Sequence, residues 1–421
     1  MRQFCFSLLI AALILFGTHH PVFSVAAFGL CCLSLLLARN SYVISLLFFV
    51  MPMAGIFKLA PEQTSLFTYW ELLYVILHLY KKKFRVTYGD LLAVFFGAYI
   101  VITGSLYTSL IITRTIKLVM NLLLIGYFAE LNPEREHRQL FLYYIFGIIV
   151  ASVMQFADSS FFPISEYVED QMERYAGMAT VRFSGLYGDP NYYSINLIIA
   201  LCLLIVLYRR GELRFVTVVG LMVPLVLFVG MTGSKSSFLM LMLPMFLLVY
   251  VCIQNRNYPA LLACVFGMVF IVFFVIQGSI PIFSYVLLRL GNLSSGWEAF
   301  TTGRTAIWRD YLRYFAENPV RTIFGTGASI EMLDEVAAHN TYIEGIYLFG
   351  VLGTGLYLVT LYFNLRKRKR CIHRNIVNCS VFLTIGVMYA FLSELLSFDL
   401  PFHLALAGMV WNMDARGDFC R

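Results

Sequence analysis

The stretch from Gly325 to Gly355 reads GTGASIEMLDEVAAHNTYIEGIYLFGVLGTG. Its first half is polar and acidic, and the half that follows His339 is almost wholly apolar. An apolar run of that length reads as a membrane helix. His339 therefore stands where water meets the bilayer, at the end of the longest polar region in the chain.

Outward from this stretch, similar runs recur along the whole sequence. The chain has 421 residues, 60% hydrophobic and 13% charged, with 38 Phe. A soluble protein of this size has no core large enough for that much apolar surface. Runs of about 18 apolar residues argue for a polytopic helical membrane protein. In lipid each span must satisfy its own backbone hydrogen bonds, so the runs must be helices. The spans expected are roughly 4–17, 22–38, 42–60, 66–80, 89–107, 112–130, 139–157, 191–208, 214–231, 236–254, 258–277, 339–363, 375–395 and 400–413. The fold class is all-α: one integral-membrane domain over 1–421, a transmembrane helical bundle of about 12–14 spans. Met1 to Ser24 has some signal-peptide character, with Arg2, an apolar core and a polar break at His19-His20-Pro21. No small-residue cleavage pattern follows and a second apolar run begins at once, so it is kept as the first span.

Orientation follows from the basic residues. Alternate connections carry Arg2, Arg39, Lys81-Lys82-Lys83 with Arg85, Arg135 with Arg138, Arg209-Arg210 with Arg214, Arg256, Arg366 to Arg370 with Arg374, and Arg416 with Arg421. That is about 20 of the 31 basic residues, against about seven acidic ones on the same side. Both termini are expected in the cytoplasm. The net charge of +7 is then the ordinary positive-inside signal rather than a nucleic-acid surface. The nine cysteines form no C-x-x-C pair, so no disulfide framework or zinc site is read.

Two long connections fall on the outer face: 158–190, and 278–338, the latter expected to carry short amphipathic helices and to contribute to a catalytic site. The outer side keeps Arg114, Lys117, Arg182, Lys235, Arg289, Arg304, Arg309, Arg313 and Arg321, which the positive-inside rule does not require.

The first outer loop closes with Arg182-Phe-Ser-Gly-Leu-Tyr-Gly-Asp-Pro-Asn191. Asp189 is a natural N-cap and Pro190 a natural first helical residue. Asp189 thus reads either as a helix start and nothing more or as a site residue. Arg182 lies near that helix N-terminus, a place that favours anions. The turn Met231-Thr-Gly-Ser-Lys-Ser-Ser237 is too short to be a phosphate loop, and no strand precedes it. It reads either as a polar turn with a snorkelling Lys235 or as hydroxyls and one cation at the surface.

In the large loop Ile307, Trp308, Tyr311, Leu312 and Phe315 recur at helical spacing, giving an amphipathic helix that Pro319 stops. Arg304 shares the face of Trp308, while Arg309 and Arg313 stack on another face whose plain reading is solvation. Glu331, Asp334 and Glu335 form an acidic patch, read as solvated rather than metal-binding. Gly350, Gly353 and Gly355 fall inside a span, where small residues permit close helix packing. His339 competes with His19, His20, His78 and His403; its place after the large loop, with Asn340 and the glycines behind it, favours it. Glu344, about one turn on, is a candidate to orient it. Glu394 is the other acid that falls inside an apolar run.

Four of these places together resemble the O-antigen ligase and polymerase superfamily of bacterial membrane enzymes: the Arg182…Gly-Asp-Pro-Asn191 segment, the Gly-Ser-Lys-Ser turn, Gly303-Arg304 with Trp308, and His339-Asn340 followed by glycines. Members commonly carry Arg where this chain has Lys235. The resemblance implies a multi-pass protein of the bacterial cytoplasmic membrane with its site on the extracytoplasmic face. It implies transfer of a polyprenyl-diphosphate-linked glycan to an acceptor glycan or glycolipid, with no cofactor, metal or nucleic acid. His339, Arg304 and Arg182 would be catalytic; Lys235, Asp189, Asn191, Asn340, Trp308 and Arg309 would hold diphosphate or glycan. The diphosphate departs without a protonating acid, so cations to receive its charge and a base for the acceptor hydroxyl suffice. Polymerases and ligases share these motifs; the reading leans to a polymerase, with a ligase as the alternative. A polysaccharide transporter or flippase is a third class, which internal repeats would favour and none is seen.

Overall fold

The computed structural model describes residues 2–107, 112–131, 135–168, 172–175, 178–277, 301, 303–327, 333, 337–366, 376–393 and 395–413. Arg289, Glu331, Asp334, Glu335, Glu394, the basic residues after Arg366 and the tail with Arg416 and Arg421 lie outside them, as does much of the 278–338 connection.

The chain is all-helical in architecture. In order, the helices are α1 (Arg2–His19), α2 (Pro21–Leu37), α3 (Asn40–Val50), α4 (Leu66–Lys81), α5 (Tyr88–Tyr107), α6 (Ile112–Phe128), α7 (His137–Gln155), a single turn α8 (Ile164–Tyr167), α9 (Pro190–Arg209), α10 (Phe215–Thr232), α11 (Lys235–Gln254) and α12 (Tyr258–Ile276). Then come α13 (Arg304–Glu317), α14 (Pro319–Phe324), α15 (Thr341–Leu365), α16 (Ile376–Met388) and α17 (Leu400–Trp411). One short antiparallel hairpin, β1 (Met172–Tyr175) with β2 (Met178–Val181), interrupts the 158–190 connection.

Seven of the described helices are long and apolar enough to cross a membrane: α1, α5, α7, α9, α10, α11 and α15. Five of the other expected spans correspond to shorter apolar helices, while those at 66–80 and 112–130 fall on α4 and α6, which are helical but are not among these apolar helices. The run at 42–60 is helical only as far as Met53, because Pro52 removes a backbone donor and the chain turns there. The run at 375–395 likewise ends in a tight turn at Tyr389–Phe391.

The axis of the bundle is α9. Its span is 89% buried, as expected of a helix that is apolar all round. It packs against α7, α10, α11 and α16. Peripheral helices do the reverse and present large apolar side chains outward, among them Phe95, Val216 and Phe266. An apolar exterior around a polar-stitched interior is what a bilayer selects.

That stitching is visible across the centre of the bundle. Asn196 on α9 accepts from the Tyr144 hydroxyl on α7 (2.8 Å) and bonds His403 Nε2 on α17 (2.9 Å). Its amide donates to Asp399 (2.8 Å), and the Tyr389 hydroxyl meets the other ring nitrogen of His403 (3.2 Å). Buried polar groups here are joined rather than isolated.

The long apolar run after His339 is not one continuous helix. Gly350 has φ 67° and ψ 177°, which breaks α15. The segment after α14 fills the break: Thr326 N donates to Tyr347 O (3.0 Å) and Gly327 N to Leu348 O (2.8 Å). Those carbonyls would otherwise be orphaned by the break, and irregular backbone inside a bundle survives only when its polar groups are met. The crossing is tight enough to demand glycine. A Cβ on Gly350 would lie 2.3 Å from Ile323 O, and one on Gly325 would lie 2.4 Å from Leu348 O. Of the three glycines read as packing residues, Gly353 does face a ring, that of Tyr99, Gly350 makes the break, and Gly355 meets nothing.

Candidate functional site

The starts of four helices converge at one end of the bundle. Asp189 caps α9 with its side chain, accepting from Asn191 N (2.6 Å). Gly233 ends α10 in a left-handed conformation and Ser234 begins α11, so the turn between them is as short as a helical connection can be. The Ser234 hydroxyl donates to Asn191 Oδ1 (2.9 Å), which ties the starts of α9 and α11 together. The Ser237 hydroxyl lies in hydrogen-bond contact with both Ser234 (2.8 Å) and Ser194, its single proton serving one of them, which completes a ladder of hydroxyls between the two helices.

The other two helix starts meet at His339. Asn340 caps α15, its Oδ1 accepting from Tyr342 N (3.0 Å) and Ile343 N (3.1 Å). Immediately before that cap, His339 is held at φ 46°, a left-handed conformation that a non-glycine residue adopts at a cost. Trp308 on α13 donates its indole N–H to Ala338 O (2.9 Å), fixing the start of α13 beside that corner. Arg304 is the first residue of α13, behind a left-handed Gly303.

Charge links the two pairs. Burial pushes the His339 imidazole pKa below the usual histidine value of 6.5, the nearby Arg304 guanidinium pushes it the same way, and Asp189 opposes them. Arg304 and Asp189 thus both act on His339, the three residues standing at the starts of three different helices. Four helix N-termini with Arg304 and Lys235 among them make this an anion-favouring place. Lys235 is the first residue of α11, where the helix dipole alone would favour an acid, not a lysine.

The remaining expected residues divide. Arg182 is buried, and its Nε donates to Thr232 O (2.9 Å), so one edge of the guanidinium holds the end of α10. Phe183 N reinforces that tie by donating to Met231 O (3.2 Å). Asn191 and Asn340 both serve their helix starts. Arg309 is exposed on α13. Glu344 faces Ser393 and Arg114, while the charges acting on His339 are those of Arg304 and Asp189.

The competing histidines have structural work. His19 stacks on Phe161 (4.2 Å between centroids), and His20 caps α2 by accepting from Val22 N (3.3 Å). His78 stacks on Tyr127 (4.2 Å between centroids), and His403 is bonded at both nitrogens within the core. A cleft lined by Thr87, Asp90, Glu130, Asn364 and Arg366 opens at the far ends of α6 and α15, away from His339. Among the described residues no group of three or more His, Cys, Asp or Glu side chains is placed to hold a metal ion.

Several members of this region carry no sequence signal. Thr341 donates to Leu392 O (2.6 Å) and the Tyr192 hydroxyl donates to Ser393 O (3.0 Å), so Leu392 and Ser393 are tied to the starts of α15 and α9. No local pattern announces a contact between residues 51 or 201 positions apart.

No family model, no curated protein and no solved structure matches the chain.

Proposed function

We propose that the protein is a multi-pass membrane glycosyltransferase that moves a polyprenyl-diphosphate-linked oligosaccharide onto an acceptor glycan at the extracytoplasmic face. The observation that carries this reading is the meeting of Arg304, Asp189 and His339 at a convergence of helix starts. In this reading the shorter apolar helices also cross the bilayer, giving about 12–14 spans with both termini in the cytoplasm. Lys81, Lys82, Arg209, Arg210 and Arg366 stand at the helix ends opposite His339, in keeping with that orientation.

The chemistry follows from the residues. The acceptor hydroxyl oxygen attacks the anomeric carbon of the donor glycan while the bond from that carbon to the phosphate oxygen breaks. The lipid diphosphate leaves with the bonding electrons, and Arg304 receives its growing charge through a bidentate fork. Lys235 and the helix starts hold the diphosphate before departure. His339 takes the hydroxyl proton, and passes it to water after the products separate. A histidine whose pKa is held low is neutral at neutral pH, and so ready to act as a base. Asp189 keeps the resulting imidazolium from being too costly in a site that already holds Arg304.

A polymerase reading is preferred, with a ligase that uses a lipid A core or protein acceptor as its variant. A transporter has one observation in its favour, the break of α15 at Gly350, since secondary transporters use discontinuous helices. The deciding experiment gives purified protein lipid diphosphate-linked repeat units and compares wild type with His339→Ala. A glycan ladder that vanishes in the variant supports the polymerase. Product only on added core or protein means a ligase. An inert wild type that moves the lipid across vesicles would overturn the transferase.

A further inference from the structure

A second polar knot lies beside the first, and nothing in the transfer chemistry uses it. Glu71 sits early in α4, Lys117 and Asn121 stand one turn apart on α6, and Asp399 precedes α17. Glu71 and Asn121 are each 1% exposed and Asp399 is 0% exposed. The two carboxylates act on one another, and the Lys117 charge acts on both. Asn121 enters from α6: its amide donates to Ser397 O (3.1 Å), two residues before Asp399.

Three oxygens in this knot are left over. Oε1 of Glu71, Oδ1 of Asn121 and Oδ1 of Asp399 are buried and accept no hydrogen bond among the described residues. Each is an acceptor that cannot donate while its group is ionised or, for Asn121, while its amide nitrogen holds Ser397. Orphaned buried acceptors call for a proton, a water or an ion.

The charge count points the same way. Two carboxylates face one ammonium. The other groups around Asp399 are neutral: the Asn196 amide and the Tyr187 phenol. His403, reached through Asn196, is bonded at both nitrogens in an apolar core, where the neutral ring is the stable form. Arg114, one turn before Lys117, acts on Glu344. One positive charge is missing, and an uncompensated carboxylate inside a membrane protein is strongly disfavoured.

We propose that Glu71, Asn121 and Asp399 bind one small monovalent cation, a proton or a sodium ion, beside Lys117. A divalent ion would overcompensate the site, and hard oxygen donors suit no softer metal. The cation braces the 397–399 connection. Phe398 of that connection stacks on Tyr187 (5.7 Å, 17°), and Tyr187 lies two residues before Asp189. Occupancy therefore sets the loop that carries Asp189 to His339.

The test contains no glycan, so its outcome is separate from that of the transferase assay. Purified full-length Glu344→Gln protein in lipid nanodiscs is followed by infrared difference spectroscopy from about pH 5 to about pH 9, in sodium or in choline chloride. The Glu344→Gln background removes one further carboxyl with an orphan buried oxygen, and Glu212, the remaining one, bonds His137 and Arg210 through its second oxygen. A protonated-carboxyl band that titrates away as pH rises, equally in both salts, identifies the proton. A band lost when sodium replaces choline at fixed pH, with saturable uptake of radioactive sodium, identifies sodium. In either case Glu71→Gln or Asp399→Asn, each of which restores charge balance, removes the response. Lys117→Met should double the band, because two carboxylates would then lack a cation. No band and no sodium response, or a response that both carboxamide variants retain, would overturn the proposal.

Discussion

The two halves of the candidate site are built on opposite principles. Around the α10–α11 turn, Arg182, Asn191, Ser194, Ser234 and Ser237 are joined to one another or to backbone by short hydrogen bonds. Around the start of α15, His339 is held in a strained backbone conformation, depressed in pKa, and acted on by charges of both signs. The first half is a scaffold that fixes where two helices begin. The second stores backbone strain beside charges of both signs, which a folded protein keeps only when the surroundings enforce it. Substitutions should therefore separate the halves: one side should lose activity without stability, the other stability with less loss of activity per folded molecule.

The largest effect is expected at His339. His339→Ala should lower the rate of glycan transfer by about 10²–10⁴, the usual worth of a positioned general base. Thermal unfolding should barely move, because among the described residues no hydrogen bond depends on the ring. His339→Gly relieves the left-handed backbone as well and should be at least as stable while equally inactive. A stability loss as large as the activity loss would erase the contrast between the halves.

Arg304 should come next. Arg304→Gln removes a fork aimed at the leaving group and should cost about 10²–10³ in rate. It also carries a second signature. Arg304 holds the His339 pKa down, so the variant should raise it, and the acidic limb of the residual rate profile should move to higher pH. The sign is fixed: a base must be neutral to act, so its limb follows its pKa. Asp189→Asn should move the limb the other way, to lower pH, because Asp189 opposes the depression.

Much of the fold was legible because a bilayer enforces a simple grammar. Apolar runs such as 191–208 and 236–254 have no alternative to helix, and α9 and α11 fall there within a residue or two. Caps were legible for the same local reason: Asp189-Pro190 and Asn340 name helix starts by their own chemistry. What sequence could not show is where apolar runs are interrupted from outside. Gly350 reads as a packing glycine, yet it breaks α15 because Gly325-Thr326-Gly327 arrives from another part of the chain to bond Tyr347 and Leu348. Glu344 reads as the partner of His339 because it is one turn away, whereas Asp189, 150 positions distant in sequence, supplies the carboxylate that acts on it. Nearness along a helix is visible in a sequence; nearness between helices is not.

The smallest effect, and the sharpest test of the comparison, lies in the scaffold half. Arg182 looks catalytic by charge, but its buried Nε is committed to Thr232 O. If the scaffold reading of that edge is right, Arg182→Lys removes the planar donor and should cost about 1–3 kcal/mol of stability, since it strands a buried carbonyl. Activity per folded molecule should fall far less than in Arg304→Gln. Ser234→Ala is the milder companion: it cuts the tie between the starts of α9 and α11 at Asn191 and should cost about 0.5–1.5 kcal/mol, with a slight rise in KM as the two helix starts loosen. Denaturation midpoints and initial rates measured on the same preparations decide the matter. Should Arg182→Lys instead match Arg304→Gln in rate loss while unfolding at the wild-type temperature, then the guanidinium serves the diphosphate, its bond to Thr232 is incidental, and the site has no scaffold half at all.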